Sequence, residues 1–278
     1  MTPTLKFSSS PGCSVLRTLA LVVMFMVPVV GWAADPLSVR ITYLGERDTD
    51  SWHGAMQGLD EANAQGKFLR LRYELVNAND QADALALNGV AIIADVSPLR
   101  LLRVSELAFD TPVFNVSAAD DDLREACQPN LLHTLPSLAM LDDALQQWRR
   151  KRPGSEAIAQ AWHPRFRKYA AAQLNKRYTK RVGRSMSDAA WAGWAAVKLL
   201  ADTIARLGVA ESSTVLEALH TDLAFDGQKG VDLSFRNTGQ LRQPLLLIED
   251  GKIVGEAPVA GIVAASNLDS LGLADCRK

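Results

Sequence analysis

A regular alternation of strand-like and helix-like segments in residues 37–116 constrains the fold of this chain more than any other feature of its sequence. The predicted strands are 37–44, 68–76, 90–94 and 111–116, and the predicted helices between them are 51–64, 81–87 and 98–108. The run 90–94 is continuously apolar, which is typical of a parallel strand that is covered on both faces. Strand, helix and strand in regular succession predict parallel βαβ units, and hence an α/β fold with a doubly wound parallel sheet.

The remainder of the chain has a different, mainly helical pattern. The predicted helices are 137–150, 156–180, 188–207 and 213–220, and the predicted strands are 230–235, 244–249 and 252–256. The dipeptide Asp250-Gly251 separates the last two strands and is a strong signal for a two-residue hairpin. Charged residues, Pro and Gly in 149–154 make this stretch the best linker candidate.

The N-terminus has the three-part layout of a secretory signal peptide. Lys6 and Arg17 form a weakly basic region, the run 19–30 is apolar, and Ala33 stands at a suitable cleavage position. The alternative is a membrane anchor, but the apolar run is shorter than the roughly 20 residues that a spanning helix needs. We therefore expect residues 1–33 to be a cleaved signal peptide and the protein to be exported.

Composition and motifs argue against nucleic-acid binding and against the common enzyme classes. The chain has 30 basic and 31 acidic residues, so it lacks the basic excess that binds nucleic acid. The sequence contains no G-x-S-x-G, H-E-x-x-H, Walker or G-x-G-x-x-G motif, and its four histidines lack metal-ligand spacing. We expect a binding protein rather than an enzyme, with no catalytic residues, no cofactor and no metal site.

Two cysteines, Cys127 and Cys276, remain after removal of the predicted signal peptide, which carries Cys13. In an oxidising compartment they are candidates for a disulfide bond that ties the C-terminal tail to the body of the protein. Two unpaired buried thiols are the alternative, and the spacing alone does not decide between them.

Three loops at the carboxyl ends of the predicted strands are the candidate ligand site, because open parallel sheets bind their ligands there. These loops are 45–52, 95–97 and 115–118, and their candidate ligand contacts are Arg47, Trp52, Asp95, Ser97, Asn115 and Ser117. The two serine hydroxyls, beside backbone N–H groups, suit a ligand carboxylate. The alternative is structural: Ser97 precedes Pro98 as a helix N-cap would, and Ser117 closes a turn.

Several motifs, spread over most of the chain after the predicted signal peptide, resemble those of a known family. They are ADVS (94–97), DTPVFNVS (110–117), LREAC (123–127), NLLHTLPS (130–137), WHPRF (162–166), GVDLSFR (230–236) and GQLRQP (239–244). The first two are similar to type I periplasmic binding proteins of the branched-chain amino-acid transporter class. All of them together resemble a branch of that family found with pyrroloquinoline-quinone (PQQ)-dependent alcohol oxidation systems.

The resemblance implies a location in the periplasm and a role for the loops that follow the strands. In this family those loops hold the amino and carboxylate groups of the ligand. A late cysteine such as Cys276 also fits the branch, which implies that it pairs with Cys127.

The sequence departs from the family pattern in its second half. Members of the family have two doubly wound lobes that close on the ligand, and each lobe needs a core of about 100 residues or more. Residues 37–136 supply one complete lobe, whereas 137–278 contain no predicted βαβ core for the second. We expect 137–278 to be a reduced second lobe whose helices and β-hairpin pack back on the first.

Two functions are compatible with these features. The first is a periplasmic solute-binding component of an ABC transport system linked to PQQ-dependent alcohol oxidation, with a small-molecule solute and an ABC permease complex as partners. The second is a non-transport accessory protein whose partner is a periplasmic quinoprotein dehydrogenase or cytochrome. The resemblance favours the first, and a shortened second lobe favours the second, because it would leave a ligand partly uncovered.

Overall fold

The computed structural model describes residues 35–276 of the 278-residue chain, so the predicted signal peptide and Cys13 lie outside the described residues. The strands are β1 (Leu37–Gly45), β2 (Leu71–Ala78), β3 (Ala91–Asp95), β4 (Val113–Asn115), β5 (Leu131–His133), β6 (Ile158–Gln160), β7 (Ser234–Phe235), β8 (Leu241–Arg242), β9 (Leu245–Glu249) and β10 (Lys252–Ala257). The α-helices are α1 (Asp50–Leu69), α2 (Gln81–Ala86), α3 (Pro98–Leu107), α4 (Asp122–Glu125), α5 (Leu138–Lys151), α6 (Ala171–Val182), α7 (Asp188–Leu207) and α8 (Ser212–Thr221). Within 35–276, no helix has the length and apolar character needed to cross a membrane.

The first five strands form one parallel sheet in the order β2-β1-β3-β4-β5. This order confirms the predicted doubly wound α/β fold, because strands are added first on one side of β1 and then on the other. Apolar side chains cover both faces of the sheet. Ile41, Ile93 and Phe114 pack with α1 and α7 on one face, and Ile92 and Val113 pack with α3 on the other.

Two glycines allow α1 and α7 to pack with their backbones in contact. A Cβ atom at Gly54 would lie 1.8 Å from the carbonyl oxygen of Ala190, and one at Gly193 would lie 2.2 Å from that of Ser51. Both distances are far below van der Waals contact, so only glycine fits at this crossing. Helix α7 therefore lies against the first turns of α1, and in this way part of 137–278 packs on the parallel sheet. The division of the chain at 136/137 remains a prediction.

Helix α1 is longer than the predicted helix 51–64 and ends at Leu69. Gly66, which the sequence suggests as the stop, lies inside the helix, where a Cβ atom would be 2.5 Å from the carbonyl oxygen of Leu71. Its role is close packing against the start of β2 rather than helix termination. Arg70, in the left-handed conformation with a φ of 58°, ends the helix instead, and β2 begins later than the predicted strand 68–76.

The hairpin predicted around Asp250-Gly251 is confirmed as β9 and β10, and β6 pairs with the other edge of β9 to give a three-stranded antiparallel sheet. The predicted strand 230–235 is largely wrong, because only its last two residues are extended and pair with β8.

The helix predicted over 156–180 is also wrong in its first half. Residues 158–160 form β6, and α6 begins only at Ala171. The backbone N–H groups of Ala161 and Trp162 donate to the carboxylate of Asp188 at 3.0 and 2.8 Å. This contact with the first residue of α7 uses the N–H groups outside a helix and ties the end of β6 to the main body.

A disulfide bond joins Cys127 and Cys276, whose Cα atoms are 6.1 Å apart and which are separated by 149 residues in the sequence. It ties the C-terminal tail to the segment between α4 and β5.

A buried arginine holds the same tail. The guanidinium of Arg236 donates to Oδ1 of Asp269 at 2.9 Å and to the carbonyl oxygens of Leu268 and Leu273 at 2.6 and 3.0 Å. Arg242 donates to the same Asp269 oxygen at 2.8 Å, but its side chain is 28% exposed, whereas that of Arg236 is 0% exposed.

Candidate functional site

The order of the parallel sheet places a topological switch point between β1 and β3. Ligands of open α/β sheets bind outside the carboxyl ends of the strands at such a point. Gly45, the last residue of β1, lies opposite Asp95, the last residue of β3. A Cβ atom at Gly45 would be 2.8 Å from the carbonyl oxygen of Asp95, so glycine lets the two strand ends approach closely. The loops that leave these two strands form the candidate site.

Two hydroxyl groups hold the carboxylate of Asp95 in a fixed position. The hydroxyls of Tyr43 and Thr49 donate to its Oδ2 at 3.0 and 2.9 Å. Burial raises the pKa of Tyr43 well above its usual value, so this phenol keeps the proton that it donates. No residue within 35–276 donates a hydrogen bond to the second carboxylate oxygen of Asp95, Oδ1, so this oxygen can accept one from a ligand.

Thr49 also connects the carboxylate to the start of α1. Its Oγ1 accepts a hydrogen bond from the backbone N–H of Trp52 at 3.2 Å, which makes Thr49 the N-cap of the helix. The same side chain therefore fixes both Asp95 and the first turn that carries Trp52.

Trp52 and Arg47 stand beside this cluster. The ring of Trp52 meets that of Tyr43 edge-to-face, with 4.9 Å between the ring centroids. The exposed guanidinium of Arg47 lies over the ring of Trp52, 5.8 Å from the ring centroid. The switch point thus combines a fixed carboxylate, an aromatic ring and an exposed cation.

Asn115 shapes the loop that follows β4, and its side chain is 0% exposed. Its Oδ1 accepts hydrogen bonds from the backbone N–H groups of Ser117 and Ala118 at 3.2 and 2.9 Å. Its Nδ2 donates to the carbonyl oxygen of Ala118 at 2.7 Å and to Nδ1 of His133 at 2.9 Å. The amide is fully engaged in positioning this loop, and a direct contact of Asn115 with a ligand remains a prediction.

His133 and Arg124 hold the same loop in place. Burial, together with the nearby charge of Arg124, holds the pKa of His133 well below its usual value, so the imidazole is neutral and its Nδ1 accepts from Asn115. The buried guanidinium of Arg124 donates to the carbonyl oxygens of Ala118 and Leu135, both at 2.9 Å. These contacts fix the backbone on both sides of the loop.

The two candidate serines differ in exposure. Ser97 is exposed at the N-cap position of α3, and its hydroxyl makes no cap hydrogen bond to that helix. Ser117 is half-buried in the turn that Asn115 closes. Both lie at the same edge of the sheet as Asp95, because they directly follow β3 and β4.

The chain itself covers the carboxyl end of β5. The hydroxyl of Thr134 donates to the carbonyl oxygen of Ala192 in α7 at 3.1 Å, and the amide of Gln243 donates to the carbonyl oxygen of Thr134 at 2.8 Å. Contacts within the chain therefore occupy the end of β5, and the candidate site consists of the loops after β1, β3 and β4.

The sequence alone does not single out Tyr43, Thr49, Arg124 and His133 as parts of this region. Tyr43 and Thr49 lie 52 and 46 residues from Asp95, and no local pattern connects them. Arg124 and His133 do fall in the motifs LREAC and NLLHTLPS, which was the available signal. Among the residues that the structure describes, no group of three or more His, Cys, Asp or Glu side chains is arranged to hold a metal ion.

Comparisons with known proteins identify the fold. No family model and no curated protein sequence matches the chain. Among solved structures, the chain is similar to a branched-chain amino acid ABC transporter periplasmic ligand-binding protein from Burkholderia xenovorans, with a TM-score of 0.63, 13% identity, and coverage of 78% of this chain and 95% of that one. It is also similar to the branched-chain amino acid transporter substrate-binding protein LivJ from Streptococcus pneumoniae in complex with isoleucine, with a TM-score of 0.61, 12% identity, and coverage of 80% and 99%.

A third similar structure is an ABC transporter solute-binding protein from R. palustris in complex with benzoate, with a TM-score of 0.60, 11% identity, and coverage of 79% and 95%. All three are described as binding proteins of transporters and not as enzymes. At this level of identity the similarity establishes the fold, which is that of the type I periplasmic binding proteins.

Proposed function

We propose that this chain is a periplasmic solute-binding component of an ABC transport system, and that its solute binds at the carboxyl ends of β1, β3 and β4. The observation that carries the proposal is the carboxylate of Asp95, fixed by Tyr43 and Thr49 at the switch point of the sheet. Structural neighbours that bind isoleucine and benzoate support a small organic solute.

The chemistry of the site favours a solute that carries an ammonium group and a carboxylate. The open oxygen of Asp95 suits an ammonium group, because a charge-assisted hydrogen bond there needs no rearrangement of the carboxylate. Arg47 and the hydroxyl of Ser97 suit a carboxylate, and the face of Trp52 suits an apolar side chain. An amino acid, or a close relative of one, combines these groups.

A link to PQQ-dependent alcohol oxidation is the finer part of the proposal. It is supported by the motifs LREAC, NLLHTLPS, WHPRF and GQLRQP, which resemble the branch found with those systems. We also propose that 137–278 is a reduced second lobe. In support, the sheet formed by β6, β9 and β10 has three antiparallel strands, whereas the sheet formed by β1 to β5 has five parallel ones.

A second candidate function is that of an accessory protein that docks a quinoprotein dehydrogenase or a cytochrome at the same edge of the sheet. Two exposed leucines favour it. Leu99 in the first turn of α3 is 79% exposed, and Leu138 at the start of α5 is 57% exposed. The backbone N–H of Leu138 donates to the carbonyl oxygen of Ala119 at 2.9 Å, so this leucine stands beside the loop after β4. Apolar side chains that flank an open site suit a protein partner.

Thermal unfolding in the presence of candidate solutes tests the first function. The panel comprises branched-chain amino acids, short alcohols, aldehydes and carboxylates, PQQ and calcium. A solute at a hundred times its Kd stabilises the protein by about 2.7 kcal/mol, which raises Tm by about 5–10 °C for a chain of this size. Asp95→Asn should abolish the shift, whereas Asp110→Asn, the same change at an exposed position beyond the opposite edge of the sheet, should retain it.

The outcomes separate the two functions. A shift that depends on Asp95 supports the solute-binding role. No shift with any compound, combined with binding of a purified quinoprotein dehydrogenase that Leu99→Ser with Leu138→Ser weakens, supports the accessory role instead.

A further inference from the structure

A pocket lies over the antiparallel sheet formed by β6, β9 and β10. It has a volume of about 770 Å³ and is bounded by the end of α5, the segment 165–168, strand β10 and the segment 258–260. A neighbouring pocket of about 550 Å³ shares Trp148, Arg152 and Val254 with it, so the two pockets adjoin. The larger volume falls within the range of about 300–1,000 Å³ that is typical of small-molecule sites.

The charge of this pocket is strongly positive, although the chain as a whole has a net charge of −1. Five basic side chains line it against a single acidic one, Glu256; the basic ones are Lys151, Arg152, Arg165, Arg167 and Lys168. Such a concentration of one sign raises the local concentration of the opposite ion.

Three of the basic groups are held by the protein, and two are available. Lys151 donates to the carbonyl oxygen of Ala260 at 2.7 Å, Arg165 donates to that of Gly251 at 2.9 Å, and Lys168 pairs with Glu256 at 2.7 Å. In contrast, no residue within 35–276 accepts a hydrogen bond from the guanidinium of Arg152 or of Arg167.

Hydrogen bonds from Ser155 and from the backbone of Glu156 lower the pKa of Glu249, and the nearby charge of Arg152 lowers it further. Its Oε1 accepts from the hydroxyl of Ser155 at 2.6 Å and from the backbone N–H of Glu156 at 2.8 Å. No hydrogen bond joins Arg152 to Glu249, so the donors of the guanidinium can bind a ligand.

The floor of the pocket is apolar and fixed. The indole N–H of Trp148 donates to the hydroxyl of Ser155 at 2.8 Å, which sets the orientation of the ring. Gly255 lies against that ring, because a Cβ atom there would be 2.8 Å from it. Phe166, which is 4% exposed, and Pro258 complete the apolar lining.

We propose that this pocket is a second binding site, which takes a small organic anion with an apolar ring and a phosphate or carboxylate group. The ring packs on Trp148 and Phe166, and the anionic group pairs with Arg152 and Arg167, whose planar guanidinium groups match both anions. None of the residues that form the switch-point site lines this pocket, so the proposal is independent of the proposed function.

Isothermal titration with three probes tests the proposal on the whole protein. The probes are 2-naphthyl phosphate, inorganic phosphate as the anion without a ring, and 2-naphthol as the ring without an anion. We expect 2-naphthyl phosphate to bind at least about tenfold more tightly than either of the others, and more weakly at high salt, because ring and charge contribute together.

Matched charge variants locate the site. Arg152→Gln with Arg167→Gln should weaken binding of 2-naphthyl phosphate about tenfold or more, since it removes the two free guanidinium groups. Arg149→Gln with Arg150→Gln removes the same charge from exposed positions in the last turn of α5, outside the pocket, and should change binding less than about threefold. Unfolding curves of the original protein and of both double variants confirm that each is folded.

Several results would overturn the proposal. They are absence of binding by 2-naphthyl phosphate, equal weakening by both pairs of variants, and equal affinity for inorganic phosphate. Binding of hexaglutamate or of anionic lipid vesicles without binding of 2-naphthyl phosphate would overturn it too. That result would assign the pocket to an acidic protein or to a membrane surface.

Discussion

Replacing Gly54 with alanine should separate α1 from α7 and destabilise the protein, although alanine is the better helix former. The added Cβ atom would lie 1.8 Å from the carbonyl oxygen of Ala190. An ordinary contact between carbon and oxygen is about 3.3–3.6 Å, so one helix must retreat by about 1.5 Å at the crossing. The blocking atoms are backbone atoms of Ala190, and no side-chain rotation relieves the clash.

The magnitude follows from two opposing contributions. Gly→Ala inside a helix stabilises by about 0.5–1 kcal/mol, because the unfolded chain loses conformational freedom. A gap of about 1 Å already removes between a quarter and a half of each dispersion contact, and overpacking of a core costs about 1–3 kcal/mol or more. Because the displacement of about 1.5 Å exceeds this gap, we take an overpacking cost of about 3 kcal/mol. Subtracting the helix-propensity gain of about 1 kcal/mol leaves a net loss of about 2 kcal/mol, which lowers Tm by about 4–8 °C.

Differential scanning calorimetry of two variants separates the contributions. Ala64→Gly changes an exposed position of the same helix and should lose only the helix-propensity contribution of about 1 kcal/mol. If propensity governed both sites, Gly54→Ala would raise Tm by about as much as Ala64→Gly lowers it. A Gly54→Ala protein with a Tm equal to or above that of the original chain would refute the packing argument.

Three further predictions concern other parts of the chain. Replacing Cys127 and Cys276 by serine should lower the free energy of unfolding by up to about 5 kcal/mol in urea titrations, because the crosslink closes a separation of 149 residues; an unchanged midpoint would contradict this. Stability should fall as the pH drops below about 6.5, by up to about 1.4 kcal/mol per pH unit. The unfolded chain takes up a proton at His133 in this range, whereas burial holds the pKa of His133 in the folded protein well below 6.5, so His133→Gln should reduce the slope of stability against pH by that amount. Arg236→Gln should lower the free energy of unfolding by about 2–3 kcal/mol, since it leaves buried acceptors unpaired. Arg242→Gln removes a partly exposed partner of the same aspartate and should lower it by less than about 1 kcal/mol; similar losses for both variants in chemical denaturation would count against the role of burial.

The sequence predicts those parts of the fold that depend on local pattern. The apolar run 90–94 and its neighbours indicate the parallel sheet, Asp250-Gly251 indicates the hairpin, and the predicted helix 188–207 coincides with α7. Each of these signals comes from the spacing of residues close together in the chain. The helix predicted over 156–180 fails for the opposite reason, because Asp188 binds the N–H groups of 161 and 162 from 26 to 27 residues away.

The candidate site shows the same division. The loop 95–97 is predictable, since it follows a buried strand, and so is its position at the carboxyl edge of the sheet. The fixed orientation of Asp95 is not predictable, because it depends on hydroxyl groups of Tyr43 and Thr49 that only the folded sheet brings close. Asn115 is a plausible ligand contact by its position, but hydrogen bonds within its own loop engage the whole of its amide group.

The contacts of the proposed switch-point site set the affinity that a solute can reach there. Under the proposed function, a solute at the ends of β1, β3 and β4 pairs with Asp95 and Arg47. Charge-assisted hydrogen bonds contribute about 1.5–3 kcal/mol each, so two of them supply about 3–6 kcal/mol, which corresponds to a Kd between millimolar and tens of micromolar. Burial of an apolar side chain on Trp52 adds to this value only in proportion to the area that it covers. A Kd far below the micromolar range would therefore mean that contacts beyond these two contribute to binding, and a Kd in the expected range would mean that Asp95 and Arg47 together account for the affinity.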